Sequence, residues 1–387
     1  MIRTLLRGAA PAALLAAVIA GPAAGQSLLA SRGLGYPLEP IDARSRGLGG
    51  VTTGLSDPFP SLVNPASAAG IPAPSFIVTL QNDHYDATAG AERTSGSTAR
   101  FPQLLGVFPV SGRLALQLGY GSYLDQHWQV ARDDSITLST GRTAVNDRFI
   151  SAGGVARFQG GVGYRLNEKI SVGASLDVFT GAANDSVVRT ITGLESVTSA
   201  VTYTYTGVQV GGGVRFQPLT NLSLSAAVHG GGHVRASSDS TGTERKDYAN
   251  PLTVDAGAST LLGGRTMIVA SGHWARWSAL DGDLSATGGA RDASSVSAGV
   301  EYTGFQLFRK VLPLRVGGRY AQLPFRWTGT DPAFPNERAI TAGLGWRFAG
   351  RGAAIDIGGE RGWRGGTAAG IDEPYWRFAF SVQVLGR

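Results

Sequence analysis

The stretch ARSRGLGGVTTGLSDPFPSLVNPASAAG, from Ala43 to Gly70, precedes a long series of strand-like segments and has the wrong chemistry for a strand. Its glycines and prolines are Gly47, Gly49, Gly50, Gly54, Pro58, Pro60, Pro65 and Gly70. Because glycine can take positive φ and proline lacks an amide donor, the stretch predicts a compact, irregular segment. Irregular backbone needs a scaffold that satisfies its polar groups. We expect a membrane barrel as that scaffold, with this segment as a plug in its mouth.

The composition of the 387-residue chain argues against several classes of protein. Charged residues make up 16% of it, against about 25% in an ordinary soluble domain, and its 56 glycines are about twice the usual share. The chain has no cysteine, so it can hold neither a disulfide framework nor a thiolate metal site. Its formal charge of +6 comes from arginines spread singly along the chain, and without a basic run we exclude nucleic acid as a partner.

Residues 1–25 have the pattern of a cleaved signal peptide. Arg3 and Arg7 form a positive start, the run from Ala9 to Ala20 is apolar, and small residues precede Gln26. An uncleaved anchor is the alternative, but the apolar run is short for a spanning helix. We therefore predict an exported protein of the bacterial outer membrane.

From residue 74 onward, apolar residues alternate with small or polar ones. Leu114, Leu116 and Leu118, for example, alternate with Ala115 and Gln117. A strand with one face in hydrocarbon and the other on a polar lumen has this period of two. We mark fourteen such segments: 74–82, 99–110, 112–131, 152–166, 168–190, 197–217, 220–235, 248–262, 265–278, 293–304, 311–323, 337–349, 353–362 and 374–385. An even number lets an antiparallel sheet close without an edge, so the fold class is all-β, a transmembrane barrel of about 14 strands.

The connections between these segments are of two kinds. Short turns alternate with longer polar links, which are 83–97, 132–151, 236–249, 279–292, 323–336 and 362–373. This asymmetry is typical of an outer-membrane barrel, and the tryptophans near strand ends are typical of its interfacial girdles. A soluble β-sandwich or propeller also alternates, but we find no blade-length repeat. The predicted domains are a plug over 26–73 and a barrel over 74–387.

In the plug, the sequence resembles a known family. The order Ala43-Arg44, Gly47-Leu48-Gly49-Gly50, Ser56-Asp57 and Asn64-Pro65-Ala66 is similar to the N-terminal box of the FadL/PorV superfamily, outer-membrane barrels of the long-chain fatty-acid transporter type. The resemblance implies a plug inside a fourteen-stranded barrel. Its implied gate residues are Gly47, Gly49, Gly50, Asn64, Pro65 and Ala66. The chain departs from the family at Val51–Leu55, where alanines are more usual, and it lacks a terminal phenylalanine.

Several charged residues fall on the polar phase of the predicted strands. They are Arg157, Arg165, Arg215, Arg315, Arg319, Arg347, Arg377, Asp177, Asp255, Glu301, Asp356 and Glu360. Because an arginine that faces lipid at the membrane midplane costs about 2–4 kcal/mol, we expect these side chains to line the lumen. They can form an ion-pair network that braces barrel and plug, or guide an anionic head group. We favour bracing, because both signs of charge are present in quantity.

The sequence shows little sign of catalysis or of a metal site. His229 and His233 lie four residues apart on one face of a strand, and we can place no further zinc ligands beside them. Gly47 to Gly50 lacks the preceding strand and the Lys-Ser/Thr of a phosphate loop, so a tight turn is the better interpretation. No Gly-x-Ser-x-Gly elbow is present. We predict neither an enzyme nor a cofactor.

Three functions remain open from the sequence. The first is the uptake of hydrophobic molecules, of long-chain fatty-acid type, gated by the plug. The second is a PorV-like scaffold or shuttle in a protein secretion system, and the third is a general porin, which the plug box disfavours. The expected partners are outer-membrane lipid, a hydrophobic small molecule and, for the second function, a secretion-system protein.

Overall fold

The computed structural model describes residues 27–56, 59–90, 92–139, 141–239, 245–284, 289–307, 310–327, 333–348 and 352–386. The predicted signal peptide, residues 1–25, lies outside the described residues. Within the described ranges, no helix is long and apolar enough to cross a membrane.

Strands dominate the chain. They are β1 (Tyr36–Pro37), β2 (Ser75–Ala89), β3 (Glu92–Pro109), β4 (Leu114–Asp125), β5 (Trp128–Leu138), β6 (Gly141–Arg165), β7 (Ile170–Ile191), β8 (Val197–Leu219), β9 (Leu222–Gly230), β10 (His233–Ser238), β11 (Arg245–Ala249), β12 (Thr253–Leu262), β13 (Thr266–Ala275), β14 (Ala293–Tyr302), β15 (Gln306–Leu307), β16 (Lys310–Val311), β17 (Leu314–Gln322), β18 (Asn336–Phe348), β19 (Ala353–Gly366) and β20 (Ile371–Leu385). The one α-helix of the described chain is α1 (Ala43–Gly47), and short 3₁₀ helices span Leu28–Ser31, Pro65–Gly70, Trp277–Leu280 and Thr367–Ala369.

The long strands form one closed antiparallel barrel. Each pairs with its neighbours in sequence, and β2 pairs with both β3 and β20, which closes the sheet. Strands β5, β10 and β11 extend the wall at one rim, β15 and β16 form a small hairpin at the other, and β1 belongs to the plug. The wall therefore has fourteen strands, which confirms the predicted fold class.

The two faces of the wall differ as the alternation predicts. Outward positions carry large, exposed apolar side chains, such as Leu118 (62% exposed), Val210 (60%) and Ile340 (63%). Inward positions are buried and are often polar or small. A continuous outer band of exposed apolar side chains suits lipid rather than water.

Aromatic residues mark both edges of this band. Trp346 stacks on Phe348 near the short-turn rim, at 5.7 Å between ring centroids, and Trp376 stacks on Phe378 near the long-loop rim, at 6.1 Å. Trp274 and Trp363 also take outward positions. The other three tryptophans, Trp128, Trp277 and Trp327, pack inside the long-loop end. Only part of the tryptophan set therefore forms a girdle.

The predicted links 83–97, 132–151 and 362–373 are wrong in large part, because strands continue through them. The β2–β3 pairing extends to Ala89 opposite Glu92, and β5 pairs with β6 from Trp128 to Leu138. Above the membrane the outward face of the wall is in water, so outward residues such as His84 and Asp86 are polar and the apolar phase disappears, while the backbone ladder and the buried inward face persist. Apolar alternation therefore marks the membrane-embedded part of a strand and misses its continuation.

The barrel wall is much taller on one side. Strands β6, β7 and β8 have 25, 22 and 23 residues, whereas β13 and β14 have 10 each. A membrane span needs about 9–11 strand residues. The upper parts of β6 to β8, with β5, β10 and β11, therefore form a sheet that projects from the long-loop rim. This rim is the extracellular one by the usual asymmetry of such barrels.

Residues 27–56 and 59–74 contact the inward face of the wall from the extracellular half to the periplasmic rim, and we refer to this segment as the plug. The amide of Leu28 donates to Glu373 near the extracellular end, and β1 pairs with the upper end of β4. Helix α1 then packs against β18, β19 and β20, and the 3₁₀ helix Pro65–Gly70 packs against β6, β7 and β8. The chain leaves the lumen at Ile71 and enters β2.

Inward glycines of the wall let the plug backbone approach closely. A Cβ atom added to Gly317 would lie 2.4 Å from the amide nitrogen of Gly49, and one on Gly173 would lie 2.4 Å from that of Ala66. On the plug side, Gly49 has a φ of +88° and Gly50 a φ of +78°, whereas Gly47 does not take positive φ. Many of the chain's glycines thus serve backbone-to-backbone packing between wall and plug.

Candidate functional site

Asn64, Pro65 and Ala66 start the 3₁₀ helix of the plug and attach it to the wall. The Asn64 side-chain oxygen accepts from the amide of Ala66 at 3.0 Å, so it caps the helix, and Pro65 occupies the first turn. The Asn64 side-chain nitrogen donates to the carbonyls of Val214 (3.1 Å) and Ala226 (3.3 Å) on β8 and β9. The buried side-chain amide of Asn64 therefore both caps the 3₁₀ helix and bonds it to the barrel wall.

The β6–β9 side of the lumen binds carbonyl groups of the plug. Gln159 donates to the Leu62 carbonyl at 2.9 Å, and a ring nitrogen of His229 lies 2.8 Å from that of Val63. The predicted lumen arginines on this side behave similarly. Arg157 contacts the carbonyl of Leu62. Arg165 donates to the carbonyl of Ala69 at 3.0 Å, and Arg215 donates to the carbonyl of Ser56. Asp177 lies behind this layer and pairs with Arg157 and His229.

The opposite side of the lumen pairs side chains with side chains. Arg44 of α1 reaches Glu301 at 2.8 Å, and Glu301 also accepts from Arg315 at 2.6 Å. Arg315 lies 2.8 Å from Asp356, which also binds Arg347 at 3.0 Å. These predicted lumen charges thus form a chain of alternating sign that begins in the plug.

A second ion-pair group centres on Glu337 and Glu360. Glu337 accepts from Arg319, from Arg364 at 2.9 Å and from the hydroxyl groups of Tyr36 and Tyr375. Glu360 binds Arg46 of the plug at 3.3 Å and wall residues Arg319 and Arg377 at 3.1 Å each. The plug enters this group through Tyr36 and Arg46, and also through Glu39, which lies 3.3 Å from Arg319.

Burial shifts the pKa values of two charged groups of the plug. It raises the pKa of the Asp42 carboxyl above its ordinary value, although the Ser45 amide that donates to this carboxyl acts in the opposite direction. It also lowers the pKa of the Arg46 guanidinium, and the Glu360 carboxylate opposes that change. Both groups are charges kept away from water by the surrounding wall.

A cavity of about 140 Å³ lies between the plug and the extracellular half of the wall. Its apolar lining residues include Tyr36, Pro37, Leu38, Pro102, Tyr123 and Trp277. Its polar lining residues include Arg46, Arg100, Asp255, His273, Arg319 and Glu337. The predicted lumen residue Asp255 binds a ring nitrogen of His273 at 3.0 Å here. The cavity is therefore lined by both apolar and charged side chains.

The backbone pairing of the barrel wall is interrupted beside this cavity, where the Ser122 hydroxyl still donates to the Phe101 carbonyl at 3.1 Å. Pairing between β3 and β4 stops at Gln103 opposite Gly121, and β3 bulges at Phe101 and Pro102. Beyond that point β4 pairs with β1, where Leu124 faces Pro37 and the Leu38 amide donates to the Tyr123 carbonyl at 2.8 Å. A segment of the plug thus occupies the place of a wall neighbour.

The remaining chemical candidates stay apart. His229 is buried on the lumen face, while His233 is exposed at the start of β10. Among the described residues, no three His, Cys, Asp or Glu side chains form a group that could hold a metal ion. The sequence did not favour a zinc site. The described side chains of the lumen are linked by ion pairs and by hydrogen bonds to the plug backbone.

Comparison with known proteins gives the family of the chain. The model of the BamG family matches residues 1–247. The chain belongs to the BamG family. No curated protein matches it.

Solved structures resemble this BamG-family barrel over nearly their whole length. A FadL homologue from Pseudomonas aeruginosa is 14% identical with a TM-score of 0.64, covering 90% of this chain and 99% of its own. The CymD monoaromatic hydrocarbon channel is 15% identical with a TM-score of 0.59, covering 91% and 99%. The toluene transporter TodX from Pseudomonas putida is 17% identical with a TM-score of 0.57, covering 90% and 98%.

At these identities the likeness establishes the fold. The FadL-type barrel architecture is confirmed, and its exposed apolar band agrees with the predicted outer-membrane location. The PorV side of the resemblance stays a prediction.

Sequence reasoning missed several members of the ion-pair groups. Asp83, Arg364 and Glu373 lie in segments that were predicted as links, and Glu337 was placed in a strand without being assigned a role. A usable signal was present at the end of β19. Glu360, Gly362 and Arg364 are two residues apart, so in a continuous strand they lie on the same face. This spacing indicates that the inward face continues past residue 362.

Proposed function

We propose that this barrel is an outer-membrane channel for small hydrophobic molecules of the fatty-acid or hydrocarbon type, and that residues 27–74 gate it. The observation that carries the proposal is the interruption of the β3–β4 pairing, where plug strand β1 pairs with β4 beside the internal cavity. The names of the FadL, CymD and TodX proteins, which share the fold, support the same substrate class.

The proposed route begins on the outside of the wall. Phe101, Leu104 and Leu118 are exposed around the interruption, so a hydrophobic molecule can reach it from the outer leaflet. The lumen side of the interruption is Pro102, Tyr123 and Leu38, which are apolar enough to receive such a molecule. The route thus enters the cavity through apolar side chains.

Gating follows from the size of the cavity. Pockets that hold drug-sized ligands measure about 300–1,000 Å³, whereas this cavity measures about 140 Å³. A hydrophobic molecule larger than this cavity can therefore pass only if the plug shifts. In this proposal the gate residues Gly47, Gly49, Gly50, Asn64, Pro65 and Ala66 fix the closed position, and the lumen charges brace it.

A disulfide lock tests the gate. The chain has no cysteine, so a Pro37→Cys, Leu124→Cys variant contains only the designed pair. The two positions face each other in strand register, which suits disulfide geometry. We expect the oxidised variant to lose uptake of radiolabelled oleate or toluene in cells deleted for their own channel, and the reduced variant to regain it.

The matched control places a disulfide within the wall. Ala270 and Ala298 are also register partners, on β13 and β14, and both lie outside the lumen. Oxidation of an Ala270→Cys, Ala298→Cys variant should leave uptake unchanged. Equal uptake by the oxidised and reduced forms of the Pro37–Leu124 variant would contradict a gate at this place.

A scaffold role is the second candidate, and the projecting sheet favours it. Residues 184–202 of β7 and β8 are largely exposed above the membrane span, which offers a large surface to a protein partner. This candidate predicts a stoichiometric partner that co-purifies from the native membrane and is lost when the tip 186–201 is replaced by a two-residue turn. Uptake would survive that deletion if the channel proposal alone is correct.

A further inference from the structure

Two arginines face outward at the extracellular edge of the apolar band. Arg338 on β18 and Arg361 on β19 hold outward positions, opposite to the inward Glu337 and Glu360 that precede them. With the outward Trp363 and Trp376 they form what we call the outer patch. Strand register places the four side chains together, because Arg338 pairs with Trp363 and Arg361 pairs with Trp376.

The arginines of the outer patch stack on its indole rings. The Arg361 guanidinium lies 5.4 Å from the Trp363 centroid and 5.0 Å from that of Trp376, and the Arg338 guanidinium lies 5.8 Å from Trp363. Such contacts occupy the face of a guanidinium. The N–H donors lie in its plane, so they remain available to an acceptor outside the protein.

No carboxylate of the described chain neutralises either arginine of the outer patch. The inward arginines of the same strands, Arg347 and Arg364, form ion pairs with Asp356, Glu337 and Glu373, whereas Arg338 and Arg361 form none with a described residue. The outward carboxylates of the adjoining strands, Asp86 and Asp372, lie further toward the loops. The outer patch therefore presents unneutralised positive charge to the membrane surface.

The depth of the patch matches that of lipid head groups. Ile340, the register partner of Arg361, and the outward Phe378 and Ile357 on the membrane side of the patch are 63%, 53% and 43% exposed and belong to the apolar band. Outward arginine costs about 2–4 kcal/mol at the midplane but only about 0–1 kcal/mol near the interface. The loop-side position places this interface in the outer leaflet.

We propose that the outer patch binds the phosphate groups of an outer-leaflet glycolipid, the lipid A part of lipopolysaccharide. The planar fork of arginine matches phosphate oxygens with paired hydrogen bonds, which gives two such forks a preference for phosphate over a neutral head group. The acyl chains of the lipid lie along the apolar band, and the indole rings hold the guanidinium groups at head-group height.

The test compares retained lipid in the purified full-length barrel. Native mass spectrometry in detergent measures binding of bisphosphorylated lipid A and of chemically dephosphorylated lipid A. We expect the wild type to bind the bisphosphorylated form at least tenfold more tightly than the dephosphorylated one. An Arg338→Gln, Arg361→Gln variant should lose that preference.

Two further variants keep the proposal falsifiable. Arg113→Gln removes one exposed arginine at the short-turn rim and should leave lipid A binding unchanged. The Arg338→Lys, Arg361→Lys variant keeps the charge without the fork and should bind with intermediate strength. Equal binding of phosphorylated and dephosphorylated lipid A by the wild type, or unchanged binding by the double Gln variant, would overturn the proposal. Binding of inorganic phosphate as tight as that of lipid A would also overturn it, because the patch would then be a site for the free anion.

Discussion

The two sides of the lumen hold the plug by different chemistry. On the β6–β9 side, wall groups donate to plug carbonyls, as Gln159 does to Leu62 and Arg165 does to Ala69. On the β14–β20 side, plug side chains pair with wall side chains, as Arg44 does with Glu301. Backbone carbonyls are the same in every sequence, whereas ion pairs require particular residues. Substitutions in the plug should therefore loosen the β14–β20 side far more than the β6–β9 side.

The largest expected effect comes from Glu337→Gln on the ion-paired side. The substitution removes the charge that Arg319, Arg364, Tyr36 and Tyr375 share, and breaking a buried pair in this way costs about 3–5 kcal/mol. We expect faster hydrogen exchange in plug residues 36–50 and a rise in single-channel leak, with little change in residues 60–70. Uniform exchange along the whole plug would contradict the division into two sides.

Gly317→Ala should have the next largest effect, by a steric route. Its Cβ would lie 2.4 Å from the Gly49 amide nitrogen, and overpacking of this kind costs about 1–3 kcal/mol. The neighbouring Gly318→Ala is the control, because its outward Cβ would meet only the Ala339 carbonyl, at 3.4 Å. Urea unfolding in lipid vesicles measures the barrel, and hydrogen exchange at residues 47–50 measures the plug. Equal behaviour of the two variants would exclude close backbone packing as the reason for these glycines.

On the β6–β9 side, variants of Asn64 distinguish its two roles, which are to cap the 3₁₀ helix and to donate to carbonyls of the wall. Asn64→Ala loses both the helix cap and the bonds to Val214 and Ala226, and we expect a loss of about 1–2 kcal/mol in plug stability with increased leak. Asn64→Asp keeps the cap acceptor but cannot donate to the wall carbonyls, so it should cap normally and still leak. Unchanged leak and uptake in a folded Asn64→Ala variant would show that this residue does not hold the gate.

The smallest effect is expected at an exposed pair outside the lumen. Arg235 and Asp247 bind at 2.8 Å on the projecting sheet, and exposed pairs are worth about 0–1 kcal/mol. Arg235→Gln should leave urea unfolding, leak and plug exchange within error of the wild type. A large effect would mean that the projecting sheet is coupled to the plug, against the view that the lumen contacts alone hold it.

The sequence was informative where membrane and lumen impose opposite chemistry on alternate residues. The phase of Leu114, Leu116 and Leu118 identified a lipid-facing strand, and the phase of Arg315 and Arg319 identified a lumen-facing one. It was uninformative above the membrane, where outward residues such as His84 and Asp86 face water and the outward apolar phase is lost. The ion-pair members Asp83, Arg364 and Glu373 were missed because the strands that carry them were not recognised there, although their side chains are buried.

The sequence by itself determined the barrel and predicted the inward placement of the charges and the position of the plug box, because each is a local pattern of residue types. Only the tertiary structure decided which groups meet. Arg44 and Glu301 are 257 positions apart, and Asn64 and Ala226 are 162 apart. Such neighbours depend on strand register and on barrel closure, which no local pattern encodes. The interruption between β3 and β4 and the outer patch also depend on register, between β1 and β4 in the first case and among β18, β19 and β20 in the second.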